Sequence, residues 1–356
     1  MIQIQRWHKN PIIAPSPDCA WRSRHTFNPG AVFDGQKVRM LFTGGGTDPA
    51  RELCLGYAES TDGFHFEQSA EPFFTPSEID GEFDHGTVDD ARITELEGDY
   101  YIAYAARAMP QNRWHAGERP KNAPNNNATW IHNLRRVGLA RTRDWKTVER
   151  LGPLTSEHLC DANVVLFPER INGDFVILHR PTPTLPWYIY NKYCPGTMWI
   201  AFSKDLGNWG WEGIQPTSQP WSIGESDHSR DYLLIRPEYD WEAQKIGASG
   251  VPIATDEGWL MLYHGVDVHG VYRIGALLLD RNNPRRVIAR TRHPVMVPDY
   301  EYETNTGLYP NCIFPCANVV IGDEIFVYYG AADLACCVAT IKLKTLLDHV
   351  LSERTV

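Results

Sequence analysis

Positive charge is scarce in this chain: 34 Lys and Arg stand against 44 Asp and Glu, for a formal net charge of −10, and the basic residues form no run. The electrostatic footprint of a nucleic-acid binder is therefore missing, and no nucleic acid is expected as a partner. Long apolar runs are missing too. Nothing approaches the roughly 20 residues of a membrane span, and MIQIQRWHKNPIIAP at the N-terminus has no signal-peptide core, so the reading is a soluble, cytoplasmic protein with no membrane partner. The 8 cysteines match no zinc spacing and sit in apolar, strand-like segments such as those holding Cys54, Cys336 and Cys337. Buried free thiols are expected, not disulfides or a metal site. Helical periodicity is confined to LKTLLDHVLSE near the C-terminus.

What is present is one phrase repeated five times: an apolar, aromatic strand closing on small residues, then a second strand that often ends in a Ser/Thr-x-Asp turn. The first halves are VRMLFTGGG (38–46), YYIAYAARA (100–108), DFVILHRPT (174–182), GWLMLYHGV (258–266) and EIFVYYGAA (324–332). Their partners are LGYAESTDG, VGLARTRDW, MWIAFSKDL, YRIGALLLD and CCVATIKLK. A unit repeated at tens of residues cannot bury its apolar faces alone and needs its neighbours, which marks a solenoid or a propeller. Upstream of each phrase lies a further strand with a tight turn, as in NPGAVFDGQK and NVVLFPERINGD, and downstream a shorter Pro-bearing element: EPFFTP, GPLTS, QPTSQPW and HPVMVP. Four strands per unit make a propeller blade. The expected fold is all-β, a single five-bladed β-propeller over 1–356 with a short C-terminal helix and blades at about 27–80, 86–158, 161–222, 245–298 and 311–345. NPIIAP resembles HPVMVP and precedes the first unit, so segment 10–15 is read as the strand that closes the last blade. Surplus length leaves as loops at 107–134, 183–197 and 213–240, rich in Pro, Asn, Gly and aromatics.

The first strand of a blade lines the central channel, so residues near its start converge on the axis. Those positions hold Asn28, Asp89 and Asp90, Asp161 to Asn163, Ser249 and Gly250, and Asn311 to Cys316, with Arg180, Tyr263, His264 and Asp333 near the ends of second strands. A carboxylate, basic groups, amides and aromatics around one axis suit a sugar, whose hydroxyls need polar partners and whose ring faces stack on aromatics. Asp89-Asp90 is the sharpest of these signals. Consecutive strand residues point to opposite faces, and close carboxylates raise one pKa, which serves a general acid. The plainer reading of the pair is a solvated turn salt-bridged to Arg92, and of His264 a satisfied strand histidine.

At these residues the chain resembles glycoside hydrolase family 130, the β-mannoside phosphorylases and β-1,2-mannosidases, which are five-bladed propellers. The resemblance rests on FNPGAVFDG, VDDARI, NVVLFPERINGDFVILHRP, KIGASGVPI, GWLMLYHGV, YRIGALLLD, NCIFPCANVV and YYGAAD, in family order over nearly the whole chain. It implies inverting cleavage of a terminal β-mannoside by inorganic phosphate, giving α-mannose 1-phosphate. Asp90 would be the general acid, protonating the glycosidic oxygen through the mannosyl 3-hydroxyl. Lys245, His264 and Arg150 would bind phosphate, because a buried dianion needs cations. Asn28, Asp89, Arg92, Arg180, Tyr272, Phe314 and Asp333 would bind the β-mannoside oligosaccharide. No cofactor and no metal are implied, inorganic phosphate being a co-substrate, and homo-oligomers are common in the resembled family.

Two departures stand out. The family's lysine before LFP is replaced in Asp161-Ala162-Asn163, and the proline of its acid motif is Ala91. The hydrolase branch carries two glutamates in place of basic residues, and an inverting hydrolase needs a second carboxylate to activate water. Neither glutamate is here; Asp161 is the neighbour that would have to serve. Retention of Lys245 and His264 favours phosphorolysis. Hydrolysis by a β-mannosidase and a non-catalytic sugar-binding propeller stay open beside it, whereas a furanosidase would need a carboxylate where blade one has Asn28.

Overall fold

Five antiparallel sheets form a ring of blades, four of them running in chain order from the channel outward. The computed structural model describes residues 2, 4–47, 52–119, 132–156, 160–182, 196–210 and 230–354. An N-terminal strand, β1 (Gln5–Arg6), precedes blade one, which comprises β2 (His25–Phe33), β3 (Val38–Gly45), β4 (Leu53–Ser60) and β5 (Glu67–Gln68). Blade two holds β6 (Thr87–Leu96), β7 (Asp99–Arg107), β8 (Arg136–Thr142) and β9 (Glu149–Pro153). Blade three holds β10 (Val165–Leu166), β11 (Phe175–His179), β12 (Met198–Ser203) and β13 (Asp231–Ile235). Blade four holds β14 (Lys245–Ala248), β15 (Ile253–Thr255), β16 (Gly258–Val266), β17 (Tyr272–Leu279) and β18 (Val287–Arg290), its inner strand being split into β14 and β15. Blade five holds β19 (Ile313–Ile321), β20 (Glu324–Ala331) and β21 (Ala335–Lys342), and takes β1 as its fourth strand.

The repeated phrases are the second and third strands. Each lies between neighbouring blades and is buried on both faces, which is why it reads as a continuous apolar run; β16 is buried along its whole length. Apolar clusters fill the spaces between successive blades, for example Leu166 and Ile177 against Leu139 between blades two and three. The C-terminal helix (Leu343–Ser352) buries Leu346 and Val350, one turn apart, in the cluster shared by blades four and five. No helix among the described residues is long and apolar enough to cross a membrane.

The outer strands differ from expectation. In blades one, four and five the Pro-bearing element makes one bridge, Phe74 to Leu55, Met296 to Ile274 and Ile13 to Cys336. The regular pairing is made earlier, by Glu67–Gln68, Val287–Arg290 and Gln5–Arg6. Proline cannot donate to a ladder, so elements that contain it pair sparsely. Segment 10–15 thus closes the ring only in part: between β1 and Ile13, the Asn10 side chain takes a strand residue's place, donating to Val338 O (2.8 Å) and accepting from Val338 N (2.9 Å). In blade three the outer strand is Asp231–Ile235, inside the span read as a loop, and QPTSQPW lies outside the described residues.

Inside three blades a buried carboxylate is clasped by a tyrosine of the second strand and an arginine of the outermost. Asp84 accepts from Tyr104 and Arg150 at 2.8 Å each. Glu242 accepts from Tyr263 at 3.0 Å and Arg290 at 2.5 Å, and Glu303 from Tyr329 at 2.8 Å and Arg6 at 2.7 Å. The side chains of all three acids are fully buried, and an unpaired buried charge is costly, so each blade supplies both donors. Blade one replaces this latch with Phe42, which has no hydroxyl, and an Arg22–Gln68 hydrogen bond of 2.7 Å. Blade three puts His179 where the tyrosine stands and Asp231 where the arginine stands, 3.0 Å apart.

Candidate active site

Three inner strands carry a bulge where they reach the channel: between Phe27 and Gly30 in β2, Asp89 and Arg92 in β6, and Pro315 and Ala317 in β19. An extra residue on one strand re-aims the side chains beside it. Asn28 (φ 49°) and Asp90 (φ 52°) sit in two of these bulges and Asp333 (φ 50°) in the β20–β21 turn, all left-handed. Of residues with a side chain, Asn and Asp tolerate this conformation best, and such strain gathers at functional sites.

The three side chains meet. Asn28 Nδ2 donates to Asp90 Oδ1 at 2.7 Å, and its amide also interacts with Asp333. Close approach makes this possible: a Cβ on Gly330 would lie 2.1 Å from Asn28 Oδ1. The Asp90 backbone N–H donates to Thr43 Oγ1 at 3.0 Å, and Arg92 Nη1 donates to the Asp90 carbonyl at 2.7 Å. Arg135 forms an ion pair with Asp89 and lies 3.5 Å from Asp90 Oδ2. Burial raises the pKa of Asp89 to about 6 even though Arg135 opposes it, with Asp90 adding to the rise. Burial, reinforced by Asp90, raises Asp333 to about 7.

A cavity of about 120 Å³ is lined by Asn28, Asp90 and Asp333 together with Arg135, Arg180, Lys245, Tyr272 and Phe314. Asn163, Tyr309 and Cys312 also reach it. Among the described residues neither Lys245 nor Arg180 has a carboxylate partner. Lys245 Nζ lies 5.0 Å over the Tyr272 ring. Arg180 donates to His264 Nε2 at 3.3 Å and, with the Asn163 amide turned to satisfy both its polar atoms, to Asn163 Oδ1 at 2.7 and 3.1 Å. Burial, and then Arg180, lowers Lys245 to about 8, and burial lowers Arg180 as well. Two neighbouring, half-buried cations without an anion make a site that an anion would complete. No group of His, Cys, Asp and Glu among the described residues could hold a metal.

Of the residues singled out from sequence, Asn28, Asp90, Arg180, Lys245, Tyr272, Phe314 and Asp333 share this cavity. Arg92, Asp89 and His264 stand behind it. Arg92 is 1 % exposed, reaches Ser249 O at 3.3 Å and lies 5.3 Å over Phe314. His264 is fully buried between Tyr272 and Phe314, and burial, then Arg180 and Lys245, keeps its ring neutral, so Nε2 accepts from Arg180. Arg150 is a correction. It belongs to the latch of blade two, on outer strand β9, with Nε on Asp84 and its guanidinium 4.3 Å over Phe74. Asp161 is likewise committed, to His179 at 3.0 Å, and is not a free base for water. Arg135 was missed, although aligning the third strands places it at the position of Tyr272, since RRVG and YRIG share a register.

The architecture and the motifs agree with known proteins. The glycoside hydrolase family 130 model, described as β-1,4-mannooligosaccharide phosphorylase, matches residues 5–352. A 1,2-β-oligomannan phosphorylase of Thermoanaerobacter sp. (strain X514) is 31% identical over 97% of this chain and 99% of its own length. A β-1,4-mannooligosaccharide phosphorylase of Ruminococcus albus is 29% identical over 99% and 92%. The structure of β-1,2-mannobiose phosphorylase from Listeria innocua, in complex with β-1,2-mannobiose, superposes with a TM-score of 0.73 at 25% identity, covering 99% of this chain and 100% of that one. With the match running through every blade, the chain belongs to glycoside hydrolase family 130.

Proposed function

We propose that this protein is an inverting β-mannoside phosphorylase, in which Asp90 acts as general acid on a terminal β-mannoside and inorganic phosphate attacks the anomeric carbon to give α-mannose 1-phosphate. The observation that carries this reading is the pairing, in one cavity, of a carboxylate held by Asn28 with two half-buried cations, Arg180 and Lys245, that lack a carboxylate partner among the described residues. Phosphate supplies the missing negative charge and the nucleophile together. Tyr272 and Phe314 offer aromatic surface to the sugar ring, and Asn28 and Asp333 offer hydrogen bonds to its hydroxyls. Hydrolysis fits less well. It needs a second carboxylate to activate water, and Asp161 is bound to His179 while Asp333 shares Asn28 with the acid itself.

The relatives described above include phosphorylases named for β-1,2 and for β-1,4 linkages at similar identity, so both linkages belong in the test. The protein is incubated with β-1,2- and β-1,4-mannobiose, with and without phosphate, and mannose 1-phosphate is followed against free mannose. Phosphate-dependent appearance of α-mannose 1-phosphate is expected. Free mannose released at the same rate without phosphate overturns the assignment.

A further inference from the structure

Blade three departs from the latch of its neighbours in a way that ties it to the cavity. Where blades two, four and five clasp one carboxylate between tyrosine and arginine, blade three holds a histidine between two carboxylates. His179 Nδ1 lies 3.0 Å from Asp161 Oδ2 and Nε2 lies 3.0 Å from Asp231 Oδ1. The side chains are at most 2% exposed. Only the imidazolium can donate to both acids at once. Burial alone would drive the proton off, but Asp231 and Asp161 outweigh it and raise the ring to about 9.

The remaining oxygen of Asp161 points the other way. Oδ1 accepts from the backbone N–H groups of Asn163 and Arg180, both at 3.3 Å. Those two residues line the cavity, and the Asn163 amide in turn takes the Arg180 guanidinium. The acids of the other latches do nothing comparable: Glu242 accepts from the N–H groups of Glu238 and Tyr239, and Glu303 from those of Asp299 and Tyr300, none of which reaches the cavity. Asp161, alone among the latch carboxylates of the described residues, holds cavity backbone.

We infer that His179 is a positioning residue for the anion-binding wall: clamped between Asp161 and Asp231, it fixes Asp161 and, through that carboxylate, the backbone that presents Arg180 and Asn163 to phosphate. The inference rests on the phosphorolysis reading for the identity of the anion. It separates His179 from a latch that only holds a blade together, because a latch would stabilise the fold without favouring one substrate over the other.

The test compares His179→Gln, whose amide can still reach Asp231 but not Asp161, with His179→Asn, whose shorter amide reaches Asp161. Initial rates are measured with phosphate varied at saturating mannobiose and then with mannobiose varied at saturating phosphate. For His179→Gln the phosphate KM is expected to rise at least about ten-fold, as when a residue that orients a ligand from behind is lost, with the mannobiose KM within about two-fold. His179→Asn should raise it by less. An unchanged phosphate KM in His179→Gln, or equal rises in both KM values, overturns the inference and leaves His179 a structural latch. Should His179→Gln not fold, Asp161→Asn takes its place with the same criterion. Wild-type enzyme showing no phosphate dependence would refute the phosphorolysis reading instead, so the two failures are distinct.

Discussion

Replacing Asp333 with asparagine should make the protein more heat-stable at and above neutral pH and change it little in acid. Burial and the neighbouring Asp90 raise this carboxyl to about 7, with Arg135 pulling the other way. In the unfolded chain an aspartate titrates near 3.9. A carboxyl whose pKa is raised by folding holds its proton more tightly in the folded state. Its contribution is therefore fully present below about pH 4 and is lost as the pH climbs through about 7. Three units of difference amount to at most about 4 kcal/mol, at about 1.4 kcal/mol per unit. Asp333 is partly open to the cavity, and solvent there reduces the figure to about 2 kcal/mol. With an unfolding entropy of about 2.1 cal/mol/K per residue, a chain of this length converts that into a Tm gain of about 3 °C. Thermal unfolding of wild type and Asp333→Asn is followed by fluorescence in phosphate-free buffers from about pH 4 to 9. The difference should open between about pH 4 and 7 and then level off. A difference that is constant across pH, or a variant less stable at pH 8, would falsify the burial argument.

Other changes separate the roles assigned above. Asp90→Asn should lower kcat by at least roughly 10²-fold with Tm little changed, and near-wild-type turnover would remove Asp90 as the acid. Lys245→Met should raise the phosphate KM by roughly ten-fold or more while relieving a partly desolvated cation, so a Tm equal to or above wild type is expected in the absence of phosphate. Arg150→Met should do the opposite. It strands the buried Asp84 at a cost of about 3–5 kcal/mol, lowering Tm, with the phosphate KM unchanged; a large rise in that KM would return Arg150 to the anion site. Gly330→Ala places a methyl 2.1 Å from Asn28 Oδ1 and should lower kcat by displacing Asn28 from Asp90, an effect absent in Gly207→Ala, where the added carbon meets only Asp205 Oδ1, at 3.6 Å.

How much of this could be read beforehand follows from where each residue sits. The middle strands of every blade are legible because both faces are buried, leaving an unbroken apolar run such as LMLY or FVYY. Outer strands such as Glu67–Gln68 and Gln5–Arg6 have no pattern of their own; they are two polar residues made into strands by the neighbour they pair with. Asn28, Asp90 and Asp333 are legible as exceptions to a repeat, polar residues where other blades place different groups. Arg150 misleads because a match along the chain says nothing of which strand of the blade carries it, and Arg150 falls on the outermost strand, away from the channel. Asp161 misleads for a related reason, since its partner His179 lies 18 residues along the chain and the Asp231 that shares this histidine a further 52, and the three meet only in the folded blade.

The closure of blade five also bears on how the chain reaches its native state. β1 precedes every other strand, yet its pairing partner is β21, and the Asn10 amide meets Val338 across 328 residues of chain. Bringing such distant segments together costs about 5 kcal/mol in loop entropy by the logarithmic rule, unless the intervening blades have already folded and shortened the gap. Synthesis thus produces β1 well before its docking edge, and during elongation this segment has no sheet to join. Until it docks, β21 presents an open edge of the kind that recruits other chains. Deleting residues before Ser16 should consequently show itself less as lost catalytic chemistry than as aggregation during expression, because it removes the strand that seals the seam.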